Sequence, residues 1–308
     1  MALLLLFALA LTLGCLSGLA AWRYPRTAAP VAPAQDTAEK VGETAARHPS
    51  LRAFLGARLD PAAATGLLLT LALILAIGGG ALLGVLAYLT RTNSELKSVD
   101  NSVAQWGHSH ASSMSDHVIN GVTQLGSVYT IVALCVVLAV VETLRQRSVW
   151  VVPFILAVML GEEILTLTVK HLDDRLRPTL NPAAATLGPS FPSGHSATAA
   201  AFYATAAFLI GQRRGHLVRS VLAGLAVGIA VAVATSRVLL DVHWLTDVIA
   251  GLGLGWAWFA VCAIAFGGRV LRFGAAAETA AQVAEAKEPA EGGTGGRPRR
   301  PMLSSHSK

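Results

Sequence analysis

Seven apolar stretches, at residues 2–22, 66–90, 122–143, 149–169, 194–211, 217–239 and 246–266, dominate this chain. A helix needs about 20 such residues to cross a hydrocarbon core of about 30 Å, so each stretch is of spanning length. The stretch at 194–211 differs from the others in opening with polar residues. The expected fold class is an all-α integral membrane protein, with a six-helix transmembrane core over 66–266 and one extra N-terminal transmembrane helix at 1–22. Composition agrees: 14% of the residues are charged, against about 25% in soluble domains. Much of the net charge of +6 lies in the linker, short loops and tail, where basic residues tend to mark a cytoplasmic face. No basic stripe interleaved with aromatics is visible, which argues against nucleic acid as a partner.

The segments between the runs carry less chemistry. Arg23 and Arg26 follow the first run, whereas a secretory signal carries its charge first. That order favours an uncleaved anchor with its N-terminus outside, a cleaved signal being the alternative. Cys15 follows Gly14, but Thr12 stands where a lipoprotein site wants leucine. Residues 23–65 read as a flexible linker. Within it, Leu51, Phe54, Leu55 and Leu59 suit a short interfacial helix over 51–59. Residues 91–121 read as a polar loop, its Trp106 an interface anchor and its His108 and His110 solvated rather than metal-binding. Residues 267–308 read as a disordered cytoplasmic tail. Cys15, Cys135 and Cys262 lie inside apolar runs and read as small buried residues. Gly78-Gly79-Gly80 and Gly251, Gly253 and Gly255 read as helix-packing positions. No strand precedes either set, as a dinucleotide fingerprint would require.

Three polar islands interrupt this pattern: Lys170 to Pro178, Phe191 to Ser196, and Ser236 to Asp247. Charges near lipid are costly and usually functional. An even number of crossings separates the islands, so all three share one face. The helix ends of the opposite face hold Arg145, Arg147, Arg213, Arg214, Arg219, Arg269 and Arg272. With the island cations set aside, the islands' face holds Arg91 and Lys97, a bias of seven to two. This places the islands outside the cytoplasm.

The residue types suit phosphoryl transfer. His243 and Asp247 are four apart, which on a helix puts them on one face. A carboxylate bonded to one ring nitrogen fixes the tautomer and frees the other nitrogen as a nucleophile. Ser193 is a natural N-cap for a helix from Gly194, whose first-turn N–H groups attract anions. His195 is placed to give a proton to a departing alkoxide. Lys170, Arg177 and Arg237 can neutralise phosphoryl oxygens. Asp173 and Asp174 read as partners of neighbouring cations.

In order, the islands spell Lys-x6-Arg-Pro, Pro-Ser-Gly-His and Ser-Arg-x5-His-x3-Asp. The pattern resembles the signature of the type 2 phosphatidic acid phosphatase (PAP2) family at every fixed position, over the six helices from 66 to 266. The resemblance implies an all-helical membrane fold and a metal-independent phosphatase working through a phosphohistidine, with no cofactor. It implies that His243 is the nucleophile, Asp247 its orienting carboxylate and His195 the general acid and then base. Lys170, Arg177, Ser193, Gly194 and Arg237 would bind the phosphate. Vanadium haloperoxidases share this constellation but are soluble, so a membrane lipid phosphate in the bilayer is the implied substrate. Candidates are phosphatidic acid, phosphatidylglycerol phosphate and undecaprenyl pyrophosphate. One departure stands out: Asp241 occupies a position where the family commonly has glycine. Its carboxylate is expected to perturb His243 or repel a dianionic substrate. The alternatives are a lipid phosphotransferase with the same site, a transporter of phosphorylated lipid and an inactive lipid-phosphate-binding scaffold. Nothing in these patterns specifies the head group or the oligomeric state.

Overall fold

The computed structural model describes residues 1–23, 64–110, 113–212 and 214–272. Its helices are α1 (Ala2–Arg23), α2 (Ala64–Thr92), α3 (Ser94–Ser109), α4 (Ser113–Gln124) and α5 (Val128–Gln146). They continue with α6 (Val151–Leu172), α7 (Gly194–Gly211), α8 (His216–Leu239) and α9 (Leu245–Arg272), plus a 3-10 turn at Pro182–Leu187. No strand occurs among the described residues. The expected interfacial helix at 51–59 and the tail beyond 272 lie outside them.

Six helices, α1, α2, α5, α6, α8 and α9, are long and apolar enough to cross a membrane. α7, expected as a further span, does not meet that measure because its polar first turn and its threonines dilute it. It is instead the central helix, packed against α5, α6, α8 and α9. The expected polar loop at 91–121 is mostly helical. Asn93 caps α3 by accepting the N–H groups of Glu95 (2.9 Å) and Leu96 (3.0 Å). Asp100, Ala104 and Gly107, spaced four and three apart, form its buried face. The expected start of the next span at 122 moves to 128, because α4 runs to Gln124 and Ser127 caps α5.

Glycine sets how closely α7 and α9 approach. A Cβ on Gly251 would strike the carbonyl oxygen of Ser193, and one on Gly255 that of Ala197. Both obstacles are backbone, so the helices touch main chain to main chain. Gly255→Ala is expected to cost at least about 2 kcal/mol through overpacking. Thermal unfolding in detergent checks this, with Gly253→Ala, which meets nothing within 4 Å, as the indifferent control.

α1 packs on α8 in the same manner, a Cβ on Gly14 lying 2.9 Å from the Gly224 oxygen. Ala2 and Leu6 meet Ile119 and Leu239, with Trp106 against the same cluster rather than free as an interface anchor. The start of α1 and the end of α8 therefore share one face, and Arg23 lies toward the other. Gly78 and Gly80 depart from their expected packing role, with nothing within 4 Å of a Cβ on either. Gly79 and Gly80 instead line a cavity of about 480 Å³ between α2, α6 and α9, apolar except for Arg91 and Asp173 at one end.

Candidate active site

The second and third islands are joined by the backbone. Ser193 caps α7 with extended dihedrals (φ −72°, ψ 112°) but without a side-chain capping bond. Its Oγ accepts from the Ser196 hydroxyl at 3.0 Å. Its N–H donates to the carbonyl of Asp247 at 3.0 Å, locking the start of α7 to the start of α9. Gly194 and His195 follow directly in the first turn. His195 lies within electrostatic reach of His243, Arg237, Arg177 and Lys170.

His243 is buried, with 2% of its surface exposed. It stands just before α9 rather than on it, in a turn where its N–H reaches the Arg237 carbonyl at 3.3 Å. Its Nδ1 lies 3.4 Å from Oδ2 of Asp247. This is an ion-pair distance without hydrogen-bond alignment, and Nδ1 has no hydrogen-bond partner among the described residues. Oδ2 instead accepts the Trp244 N–H at 3.0 Å, the reach-back bond of a capping box. Nη1 of Arg177 lies 3.1 Å from the other ring nitrogen, Nε2. A guanidinium only donates, so Nε2 accepts and the ring proton is assigned to Nδ1, facing Asp247. Burial lowers the pKa of His243 to about 4; Arg177 and Arg237 push the same way, and Asp247 opposes them. At neutral pH the ring is uncharged and its lone pair sits at Nε2.

Arg177 is the predicted phosphate-binding cation beside this nitrogen, and Lys170 and Arg237 act with it on the neighbouring His195. Nζ of Lys170 donates to the Pro189 carbonyl at 2.8 Å. Arg177 donates to the carbonyls of Val242 (2.7 Å), Gly188 (2.9 Å) and Pro189 (3.1 Å). Nη1 of Arg237 donates to Oγ1 of Thr123 on α4 at 3.1 Å, while its buried Nε has no hydrogen-bond partner among the described residues. Lys170 also feels Arg177, Arg237 and Asp247 electrostatically. The predicted site residues are thus one cluster, assembled from three islands.

Sequence reasoning missed four members of this neighbourhood. Thr123 holds Arg237, and Arg175, Asp100 and Thr246 form a buried polar array behind Asp247. Arg175 lay inside the first island unassigned, and Asp100 lay in the supposed loop. The only local signal was the helical spacing of Asp100, Ala104 and Gly107. Asp173 pairs with a cation, but a distant one in sequence rather than an expected neighbour, taking Nη2 of Arg91 at 2.5 Å.

Asp241 does not turn toward His243. Its Oδ2 meets Nδ1 of His108 at 2.8 Å, and His110 stacks on Trp106 with centroids 4.6 Å apart. Asp241 has φ 54°, the left-handed region that glycine favours and aspartate tolerates. Burial raises its pKa and His108 opposes the rise. The pair itself is weak because His108 is 57% exposed. Asp241→Gly is therefore expected to relieve about 1 kcal/mol of backbone cost. The checks are an unfolding temperature equal to or above wild type and phosphatase activity within about twofold.

Comparison with known proteins points the same way. The model of the PAP2 superfamily matches residues 149–270. The chain is 30% identical over 176 residues to phosphatidylglycerophosphatase B of Bacillus subtilis, spanning 56% of this chain and 84% of that protein. It is 39% identical over 72 residues to a lipid A 1-phosphatase of Rhizobium johnstonii, 23% of this chain and 25% of the relative. A crystal structure of a transmembrane PAP2-type phosphatidylglycerolphosphate phosphatase from Bacillus subtilis superposes with TM-score 0.59 at 27% identity. It covers 65% of this chain and 99% of that one.

Proposed function

The chain belongs to the PAP2 superfamily as a membrane-spanning phosphatase, and we propose that it hydrolyses a lipid phosphomonoester of the phosphatidylglycerophosphate type through a phosphohistidine, without a metal. The observation that carries this reading is the lone pair on Nε2 of His243, with Arg177 beside it and Asp247 behind Nδ1. Nε2 attacks phosphorus and the ester oxygen departs with a proton from His195, which burial and the neighbouring cations keep neutral in the free site and which takes up that proton as the phosphate dianion enters. Lys170, Arg177 and Arg237 offset the charge on the three equatorial oxygens, with the α7 N–H groups and Ser193 beside them. His195, now neutral, takes a proton from water, which attacks the phosphohistidine and restores His243. Asp247 stabilises the imidazole while it carries positive charge.

The lipid nature of the substrate is supported by the apolar cavity at α2, α6 and α9, whose polar end holds Asp173, three residues beyond Lys170. Phosphate release from phosphatidylglycerophosphate, phosphatidic acid and undecaprenyl pyrophosphate, measured in EDTA, tests the assignment. Release from the first at the highest kcat/KM is the expected result. Silence toward all three, or activity that vanishes with EDTA and returns with a divalent ion, would sink it.

The site faces away from the cytoplasm in this reading. The support is the basic asymmetry, to which Arg23 at the far end of α1 adds. Leu176 is 84% exposed beside the first island. In intact cells, Leu176→Cys is expected to react with a membrane-impermeant thiol reagent, whereas Leu217→Cys at the start of α8 should react only after permeabilisation. The reverse pattern would invert the topology.

A further inference from the structure

We propose that Arg175 and Asp100 are positioning residues of this active site, forming with Asp247 a buried carboxylate–guanidinium–carboxylate array that holds the group behind His243. This rests on the assignment of His243 as nucleophile. Nη1 of Arg175 donates to Oδ1 of Asp247 at 2.5 Å and to Oγ1 of Thr246 at 2.8 Å. Nη2 donates to Oδ2 of Asp100 at 2.7 Å. Side-chain exposure is 11% for Arg175, 2% for Asp100 and 0% for Asp247. Asp100 also accepts the Thr246 N–H at 3.0 Å and the Thr246 hydroxyl at 2.7 Å. It therefore helps cap α9 while it anchors Arg175.

Three features set Arg175 apart from the phosphate-facing cations. Its Nη1 and Nη2 donate to side chains, two of them carboxylates, whereas Arg177 donates to backbone carbonyls and Nε2 of His243, and the plane of Arg175 lies near Trp244, 5.6 Å from the ring centroid. It lies two residues before Arg177 on non-helical backbone, and the two side chains part. Arg177 goes to Nε2 of the imidazole and Arg175 to the far oxygen of Asp247. Finally, one guanidinium serves two carboxylates, Asp247 through Nη1 and Asp100 through Nη2. A planar fork suits this task and an ammonium does not reproduce it fully. Asp100 lies outside the segment matched by the superfamily model, so α3 supplies the array from beyond that segment.

The test uses purified full-length protein in detergent, with phosphatidylglycerophosphate as substrate and inorganic phosphate as competitive inhibitor. Arg175→Met is expected to lower kcat about 100-fold while the inhibition constant for phosphate stays within about twofold. Arg177→Met, by contrast, is expected to weaken phosphate inhibition. Arg175→Lys should recover about tenfold of the loss, and Asp100→Asn should cost about tenfold in kcat alone. The double variant Asp100→Asn/Arg175→Met should be no worse than Arg175→Met, since both remove one array. Phosphate inhibition that weakens in step with kcat would make Arg175 a ligand and overturn the proposal. So would an unchanged kcat, or a double variant losing the product of the single losses. If Arg175→Met does not fold, Arg175→Lys and Asp100→Asn are read by the same criteria. A wild-type protein inactive on every ester would instead refute the assigned activity. The array would then be judged by unfolding temperatures: non-additive losses support it and additive losses refute it.

Discussion

His243→Ala is expected to reduce phosphate release by at least about 10⁴-fold, because it removes Nε2, the atom proposed to form the covalent intermediate. The same variant should accumulate no acid-labile phosphoenzyme in a rapid quench, whereas wild type should. Residual turnover within about tenfold of wild type would exclude His243 as nucleophile. The pH profile provides a second reading of the same group. As the proposed nucleophile, His243 must be neutral to attack, and burial with two adjacent cations lowers its pKa from 6.5 to about 4. The limb of kcat/KM that reports this nitrogen should therefore fall near pH 4, not near 6.5. Stability follows the same displacement. Above about 6.5 the ring is neutral folded and unfolded, and this group adds no pH dependence. Between 6.5 and 4 the unfolded chain takes up the proton first, so stability falls as pH falls through that window.

Arg177→Met should be nearly as damaging, with a loss of about 10³-fold or more in kcat/KM. Two effects combine. The variant removes a cation beside the proposed position of the reacting oxygens, and it leaves the carbonyls of Gly188 and Val242 without this donor and that of Pro189 to Lys170 alone. Those carbonyls belong to the segments that approach Ser193 and His243 from either side. Arg177→Lys should restore little, because one ammonium cannot span three carbonyls and Nε2 together. The checks are KM and kcat on the same lipid, with unfolding temperature measured in parallel. A variant that loses less than about tenfold, or that Lys rescues fully, would show that charge alone matters at this position.

The two variants differ in how they fail. His243→Ala removes chemistry and should still bind inorganic phosphate. Arg177→Met weakens binding and chemistry together. Arg175→Met, two residues away, should spare binding. Three basic or imidazole groups within one cluster are thus separable by kcat, KM and inhibition.

Much of this protein is legible without coordinates. Six of the seven apolar runs became helices of spanning length and composition. Hydrophobic length is a local property, and lipid leaves the backbone little alternative. The ends of α7 were placed at Gly194 and Gly211 because Pro192-Ser193-Gly194 is a local start signal. The motif residues Lys170, Arg177, His195, Arg237, His243 and Asp247 stand out by residue type and by their resemblance to the family signature, and they meet in one cluster.

Other features depend on contacts that leave no periodic trace. Arg175 and Asp100 are 75 residues apart, and Asp100 and Thr246 are 146 apart. No local pattern could tell Arg175 from Arg177, since both are arginines on one short segment. Their roles parted only when α3 and α9 supplied acceptors to Arg175 while the non-helical segments at 188–189 and 242–243 supplied those of Arg177. The segment at 91–121 looked like a loop because its polar face is open and its buried face is only three residues wide. Asp241 looked like a hazard to His243 until the left-handed turn directed it to His108. Gly78 and Gly251 look alike in sequence, yet only Gly251 meets a backbone across the interface. Chain-local physics decides which segments enter the bilayer and which residue types crowd their ends. Which of those residues faces phosphorus, and which stands behind the nucleophile, is set by long-range packing, where each polar group must find a partner once water is gone.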